Sequence, residues 1–300
     1  MRTVVAPSRL HFGLIRRSPD AAGVNYGGCG VMLSSPRTIV RAEPADDWSA
    51  TGPNAERALE FAKRACALPH RLIVEECPPV HAGFGSGTSL ALAVGRAVAP
   101  GRTVDDIALS LGRGQRSGVG LHGFRLGGFV ADGGKRAGEL PGLIERIDVP
   151  SEWRFAVLLP DEATPWHGSR EREAFSNDAV QPDDERRSER LNELMVGELV
   201  PALHAADFDR FSRALTDYNR TSGELFAAEQ GGPYAGGEVA RLLAELQSFG
   251  VLGIGQSSWG PGVFAAFRCT AEAEEMLKRF DAVRSWLAAA SNEGAIERVD

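Results

Sequence analysis

Apolar positions along this chain recur with two distinct periods. Short runs rich in β-branched and aromatic residues, RTVVA (2–6), RTIVRA (37–42), RLIVEE (71–76), RFAVLL (154–159) and GVFAAFR (262–268), have the length and composition of strands. Elsewhere the spacing is three and four. Ala58, Leu59, Ala62 and Ala65 share a helical face, as do Leu90, Val94, Ala97 and Val98. Val104, Ile107, Ala108 and Leu111 form a third, with Thr103 placed as its N-cap. Further helical groups are Leu191, Leu194 and Met195, then Val239, Leu242, Leu243 and Leu246, then Met276, Leu277 and Phe280. Strands and helices in irregular order predict an α+β fold and not an alternating parallel array. The polar stretch 176–190 reads as a surface loop entering a helix or as a junction, and a boundary between two lobes is expected between residues 150 and 165.

Glycine changes this picture. There are 35 among 300 residues, well above the average share of about 7 %, and they cluster at 23–30, 83–87, 112–138 and 250–262. The remaining composition is that of an ordinary globular protein, 43 % apolar and 24 % charged. With 33 basic against 40 acidic side chains the net charge is −7, so no basic excess exists to hold a nucleic acid. An anionic substrate would need a local cationic site. No run of 18 apolar residues suggests a membrane span. The start, MRTVVAPSRLHFGL, lacks the pattern of a secretory signal, and the four cysteines form no CxxC pair. A reducing cytoplasm is therefore expected, and structural zinc is not.

The strongest candidate chemistry is HAGFGSGTSLALAVGRAVA (81–99). A Gly-Ser-Gly turn lets backbone amides converge on a ligand, and the following helix adds its unpaired first-turn N–H groups and positive dipole end. Ser86, Thr88 and Ser89 add hydroxyl donors. The combination suits a phosphate or diphosphate, although a tight turn capping a packed helix satisfies the same residues. It is neither a Walker loop, lacking GK[ST], nor the dinucleotide fingerprint.

Three other segments bear on it. Arg9 and His11 alternate with Leu10 and Phe12, which puts both polar side chains on one face of a strand. Arg116-Ser117-Gly118-Val119-Gly120 is followed by Asp132, which lies after a short apolar run and before Gly133 and Gly134. There it is free to approach a ligand or a divalent cation, or simply to form an Asp-Gly turn. Arg113, Arg116 and Arg125 add local positive charge. Gly253 to Gly262, containing Gln256, Ser257, Ser258 and Trp259, offers a second cradle of backbone and hydroxyl groups, with Trp259 either presenting a flat surface to a ring or tucked into the core.

In this order the motifs resemble the GHMP superfamily across essentially the whole chain. GFGSGTS looks like its phosphate loop and GIGQSSWGPG like its third, glycine-rich motif. That resemblance implies a two-lobed fold of mixed sheets with helices packed on one face. The expected divisions are an N-terminal domain over 1–155 and a C-terminal domain over 156–300. The kinases of the superfamily often carry SG-x-D with a catalytic Asp, whereas here Ser117-Gly118-Val119 is followed by Gly120.

SRLHFGL, HAGFGSGTSLALAVGRA, GRGQRSGVG, GGFVADGG and GQSSWGP together are similar to the β-ribofuranosylaminobenzene 5′-phosphate synthase family. The resemblance implies ribosyl transfer from 5-phosphoribosyl 1-pyrophosphate to 4-aminobenzoate, with loss of CO2 and pyrophosphate, early in methanopterin biosynthesis. Decarboxylation needs no general base, so the absent Asp fits. On this reading Gly83, Gly85, Ser86, Gly87, Thr88, Arg116 and Ser117 hold phosphates, and Arg9 serves phosphate or carboxylate. Asp132 takes Mg2+ or the ribose hydroxyls, and His11, Gln256, Ser257, Ser258 and Trp259 shape the acceptor side. Asp132, Arg9 and His11 are the catalytic candidates. The expected partners are small molecules and a second copy in a homodimer, with no nucleic acid and no membrane. A GHMP kinase using ATP at the 83–89 loop, or a non-catalytic ligand sensor, are the competing expectations.

Overall fold

The alternation that begins at Arg2 does not stop at Ala6. Strand β1 runs Arg2–Asp20 and pairs antiparallel with β2, Gly23–Pro44. The computed structural model of the chain describes residues 1–20, 23–114, 117–135, 139–160 and 183–299, and of 17–20, 23–25 and 229 the backbone alone. Arg116 and most of the 176–190 stretch lie outside the described residues.

The glycine cluster at 23–30 is strand, not turn. A Cβ on Gly28 or Gly30 would collide with the carbonyl oxygens of Gly13 and Leu10 on β1, so close approach of the two backbones is what requires glycine there. The first sheet adds β3 (Ser49–Thr51), β4 (His70–Glu76), β5 (Phe129–Asp132) and β6 (Leu143–Ile147), in the order β1-β2-β4-β3 with β5 bridging β2 and β6. Four strands make the second sheet: β7 (Arg154–Leu159), β8 (Ile254–Gln256), β9 (Val263–Phe267) and β10 (Arg284–Ala289), ordered β10-β7-β9-β8. The last strand, β11 (Ile296–Val299), crosses back to pair with β1 in the first sheet.

The predicted amphipathic segments fall in helices, and helices over 119–126, 200–204, 208–224 and 227–230 form where none was predicted. In chain order these are α1 (Ala55–Ala65), α2 (Ser86–Val98), α3 (Val104–Ser110) and α4 (Val119–Leu126), followed by α5 (Asp184–Asn192), which continues through a wider π turn into α6 (Val200–His204). Then come α7 (Phe208–Glu224), α8 (Ala227–Gln230), α9 (Gly237–Ser248) and α10 (Thr270–Leu277). Thr103 caps α3 as expected, in a reciprocal box with Asp106. None of the helices among the described residues is long and apolar enough to cross a membrane.

Three cores organise these layers. Helices α1 to α4 bury Phe61, Leu90, Val94 and Ile107 against Val40, Leu72 and Val74 of the first sheet. A second core joins β1, through Leu10 and Phe12, to Phe155 and Phe264 of the second sheet and Phe211 of α7. The third lies under α9 and α10 on the far side of the second sheet. The 83–88 loop, with Phe84 in the second core and α2 following it in the first, lies where the two meet.

Candidate active site

The glycine turn before α2 has the expected geometry. Gly83 and Gly85 have φ of +90° and +69°, left-handed conformations that glycine adopts without strain. No side chain caps the start of α2. The amides of Ser86 and Gly87 thus face outward at the positive end of a 13-residue helix. Ser86 and Thr88 line the same opening, whereas the Ser89 hydroxyl turns inward, 2.9 Å from Thr38 Oγ1.

Two loops are locked together behind this turn. Ser257 Oγ donates to the Gly83 carbonyl at 2.7 Å and accepts from the His11 amide at 3.0 Å. An Arg9 guanidinium nitrogen donates to the same Gly83 carbonyl. A Cβ on Gly260 would overlap the Gly83 backbone nitrogen. Gly260 and Gly262, whose Cβ atoms would meet the Gly83 and Ala82 backbones, are therefore needed for backbone-to-backbone packing as much as for any ligand.

A cleft of about 440 Å³ opens in front of the turn. Its lining includes Arg9, His11, Leu14, Arg57, His81, the 83–88 turn, Arg113, Ser117, Gly120, Ser258 and Trp259. Arg9, His11 and Leu14 share one side of β1 because a bulge between His11 and Gly13 shifts the alternation by one residue. Three arginines and no carboxylate line the cleft among the described residues, so an acidic chain presents a cationic hollow. Gly120 faces the Thr88 side chain, and a Cβ there would already lie 3.3 Å from Thr88 Cγ2.

Beside the cleft runs a buried relay. The Gly13 amide donates to His11 Nδ1 at 3.3 Å, which leaves the ring proton on Nε2, 2.9 Å from Ser117 Oγ. Ser117 passes its own proton to Asp132 Oδ2 at 2.8 Å. Burial, and secondarily the Arg9 charge, hold the His11 pKa well below its ordinary value. His11 is thus a neutral donor.

Several candidates have roles other than those expected. Asp132 is fully buried and absent from the cleft wall; its Oδ1 accepts the Gly134 amide while Oδ2 accepts Ser117. These oxygens orient Ser117 and do not fit a magnesium ligand. No group of three His, Cys, Asp or Glu side chains able to hold a metal occurs among the described residues. Gln256 bonds inward, accepting from the Ala235 amide at 2.8 Å and donating to the Ser258 carbonyl at 3.1 Å. With Ser257 it braces the loop and does not meet the cleft. Ser258, with φ of +58°, does reach the lining. Trp259 lines the cleft too but is only 5 % exposed and packs edge-on against Phe226 at 5.0 Å. Arg125 pairs with Asp105 on the surface. Arg57 joins the site without any motif to announce it, His81 joins it as the first residue of the 81–99 motif, and Asn219 ties β1 to β8 by bonding the Phe12 and Gln256 carbonyls.

Comparison with known proteins agrees with this fold. A family model described as "GHMP kinases C terminal" matches residues 199–284. In overall shape the chain is similar to mevalonate diphosphate decarboxylase from Staphylococcus aureus, with a TM-score of 0.68 at 13 % identity, covering 100 % of this chain and 99 % of the other. These matches define the class of the fold, an α+β architecture of the GHMP kinase type. Two archaeal relatives narrow that class. The beta-ribofuranosylphenol 5′-phosphate synthase of Methanothermobacter thermautotrophicus is 30 % identical over 293 residues, 86 % of each chain. That of Archaeoglobus fulgidus is 31 % identical over 281 residues, 86 % of this chain and 85 % of its own. The chain belongs to the beta-ribofuranosylphenol 5′-phosphate synthase family.

Proposed function

We propose that the chain joins the ribose of 5-phosphoribosyl 1-pyrophosphate to a para-substituted benzoate, releasing CO2 and pyrophosphate, in an early step of methanopterin biosynthesis. The observation that carries this reading is the cleft lining: an uncapped helix start and three arginines, with no carboxylate among the described residues. Such a wall stabilises a departing diphosphate and offers no carboxylate base for activating an alcohol.

The electron balance needs none. An arene pair attacks ribose carbon 1 and the carbon–oxygen bond pair leaves with diphosphate. The pair from the ring–carboxylate bond then restores aromaticity as CO2 departs. Amides at 86–87 and the hydroxyls of Ser86 and Thr88 would receive the growing charge on diphosphate. Neutral His11 and Ser117, whose protons are already committed to Ser117 and Asp132, would give the sugar a fixed, uncharged wall, and Leu14 and Trp259 would give the ring an apolar one. Any Mg2+ we keep with the donor, as its diphosphate salt, since the Asp132 oxygens are buried and already accept hydrogen bonds.

For the acceptor, 4-aminobenzoate comes from the motif resemblance, while the relatives' name speaks of a phenol. Either substituent pushes electrons to the para carbon, so both belong in the assay. Release of labelled CO2 from carboxyl-labelled 4-aminobenzoate and 4-hydroxybenzoate, dependent on the phosphoribosyl donor, is the expected result. Absence of release from both, with tight ATP binding, would replace the proposal with a kinase.

A further inference from the structure

Arg57 and Arg113 reach the cleft from two different elements, the first turn of α1 and the turn after α3. Their guanidinium carbons lie 5.6 and 4.9 Å from the centre of one ring, that of Phe61. Both also point at one place on the cleft wall. A Cβ built on Gly87, in the first turn of α2, would lie 2.9 Å from Arg57 Nη2 and 3.7 Å from Arg113 Nη1.

This arrangement is electrostatically incomplete. Among the described residues no carboxylate forms an ion pair with either arginine, and Arg113 Nε is buried with no hydrogen-bond partner there. Two like charges are instead held beside the positive end of a helix. The Arg113 pKa is pushed down to about 10 by burial and then by the charges of Arg57 and Arg64. Contact with the Phe61 face offsets only part of such repulsion. An arginine serving stability alone would be expected to pair, as Arg125 does with Asp105. Gly87 leaves vacant the volume where an anion would meet both guanidiniums and the α2 amides together.

We propose that Arg57 and Arg113, fixed on Phe61, form a phosphate subsite beside Gly87. It deepens the ribosyl-transfer reading, on which it rests for the identity of the phosphate's owner. In that donor a phosphate comes from one of two sources, the diphosphate or the 5′-phosphate, and the same fork chemistry receives either.

The test is calorimetric titration of the whole chain with inorganic pyrophosphate and, separately, ribose 5-phosphate. Arg57→Gln and Arg113→Gln are each expected to weaken the same probe by about tenfold or more, and the probe affected identifies which end of the donor sits there. Arg113→Lys, which keeps the charge, is expected to recover part of the loss, a recovery that collapse of the turn would not give. Arg125→Gln, on the outer surface, should bind both probes as the parent does. The subsite is overturned if either Gln variant binds both probes within about twofold of the parent, or if the parent binds neither. CO2 release is read separately. Loss of pyrophosphate affinity in a chain that releases no CO2 keeps the subsite and rejects ribosyl transfer, whereas CO2 release with unchanged probe affinities does the opposite.

Discussion

A single proton position organises the interior wall of the site. With Nδ1 accepting from the Gly13 amide, His11 must donate through Nε2 to Ser117, and Ser117 in turn donates to Asp132. Ser117→Ala removes the middle of this chain and leaves a buried imidazole N–H and a buried carboxylate oxygen short of a partner. The expected loss is about 1–3 kcal/mol in a urea melt, and an unchanged midpoint would show that the three groups act independently. His11 also links stability to pH. The folded state keeps its imidazole neutral well below the ordinary value of 6.5, so below about pH 6.5 the unfolded chain binds more protons. Stability should therefore fall as pH drops from 7.5 to 5.5, and burial of His122 acts in the same direction. His11→Gln, whose side-chain amide can take the place of Nε2 as donor to Ser117, should flatten that slope; parallel curves would assign the pH effect elsewhere. Asp132→Asn should lower the rate through Ser117 while leaving the Mg2+ titration curve in place, since its carboxylate is not positioned for a metal.

Among the elements, legibility in the sequence follows how a segment is buried. The strands over 2–6, 37–42, 71–76, 154–159 and 262–268 and the helices through Leu90, Ile107 and Leu242 follow their apolar periods because they bury apolar faces. Helix α7, 17 residues long, carries an apolar stripe of Phe211, Ala214, Leu215 and Tyr218, but buried polar side chains widen its inner face beyond that stripe. Its buried face includes Tyr218, Asn219 and Ser222, which donate to the carbonyls of Gly13, Phe12 and Leu14 on β1. A polar face serving another element's backbone looks like a solvent face in sequence. The glycine clusters were legible as special backbone but not by purpose. The 83–88 turn opens to a cleft, whereas Gly260 exists to let one loop lie on another. Gly260→Ala should consequently lower Tm and weaken pyrophosphate binding together, because the displaced partner is Gly83. Full pyrophosphate affinity in a destabilised Gly260→Ala chain would uncouple the two loops. Arg57 was illegible for a different reason: it is one arginine on an amphipathic helix, and only the fold sets it opposite Arg113.

At the scale of the whole chain, the site depends on two sheets holding one another. The phosphate turn follows the first sheet, the Ser257 clasp follows β8 of the second, and the side chains between them form one core. Phe12 sits at its centre, with ring centres 5.3 Å from Phe264 and 6.3 Å from both Phe129 and Phe211. The crossing of β11 back to β1 adds a covalent reason for the lobes to act together. Independent lobes would each need a closed apolar face, yet Leu10 and Phe12 of the first sheet have theirs completed by Phe155 and Phe264 of the second. Phe12→Ala should therefore cost about 3–5 kcal/mol, and the loss should be shared. Native-state hydrogen exchange is expected to show amides of β2 and of β9 losing protection by similar amounts, because both report the same global opening. If β9 kept its protection while β2 lost its own, the lobes would unfold separately. The clasp between Ser257 and Gly83 would then be a contact between two bodies and not a part of one core.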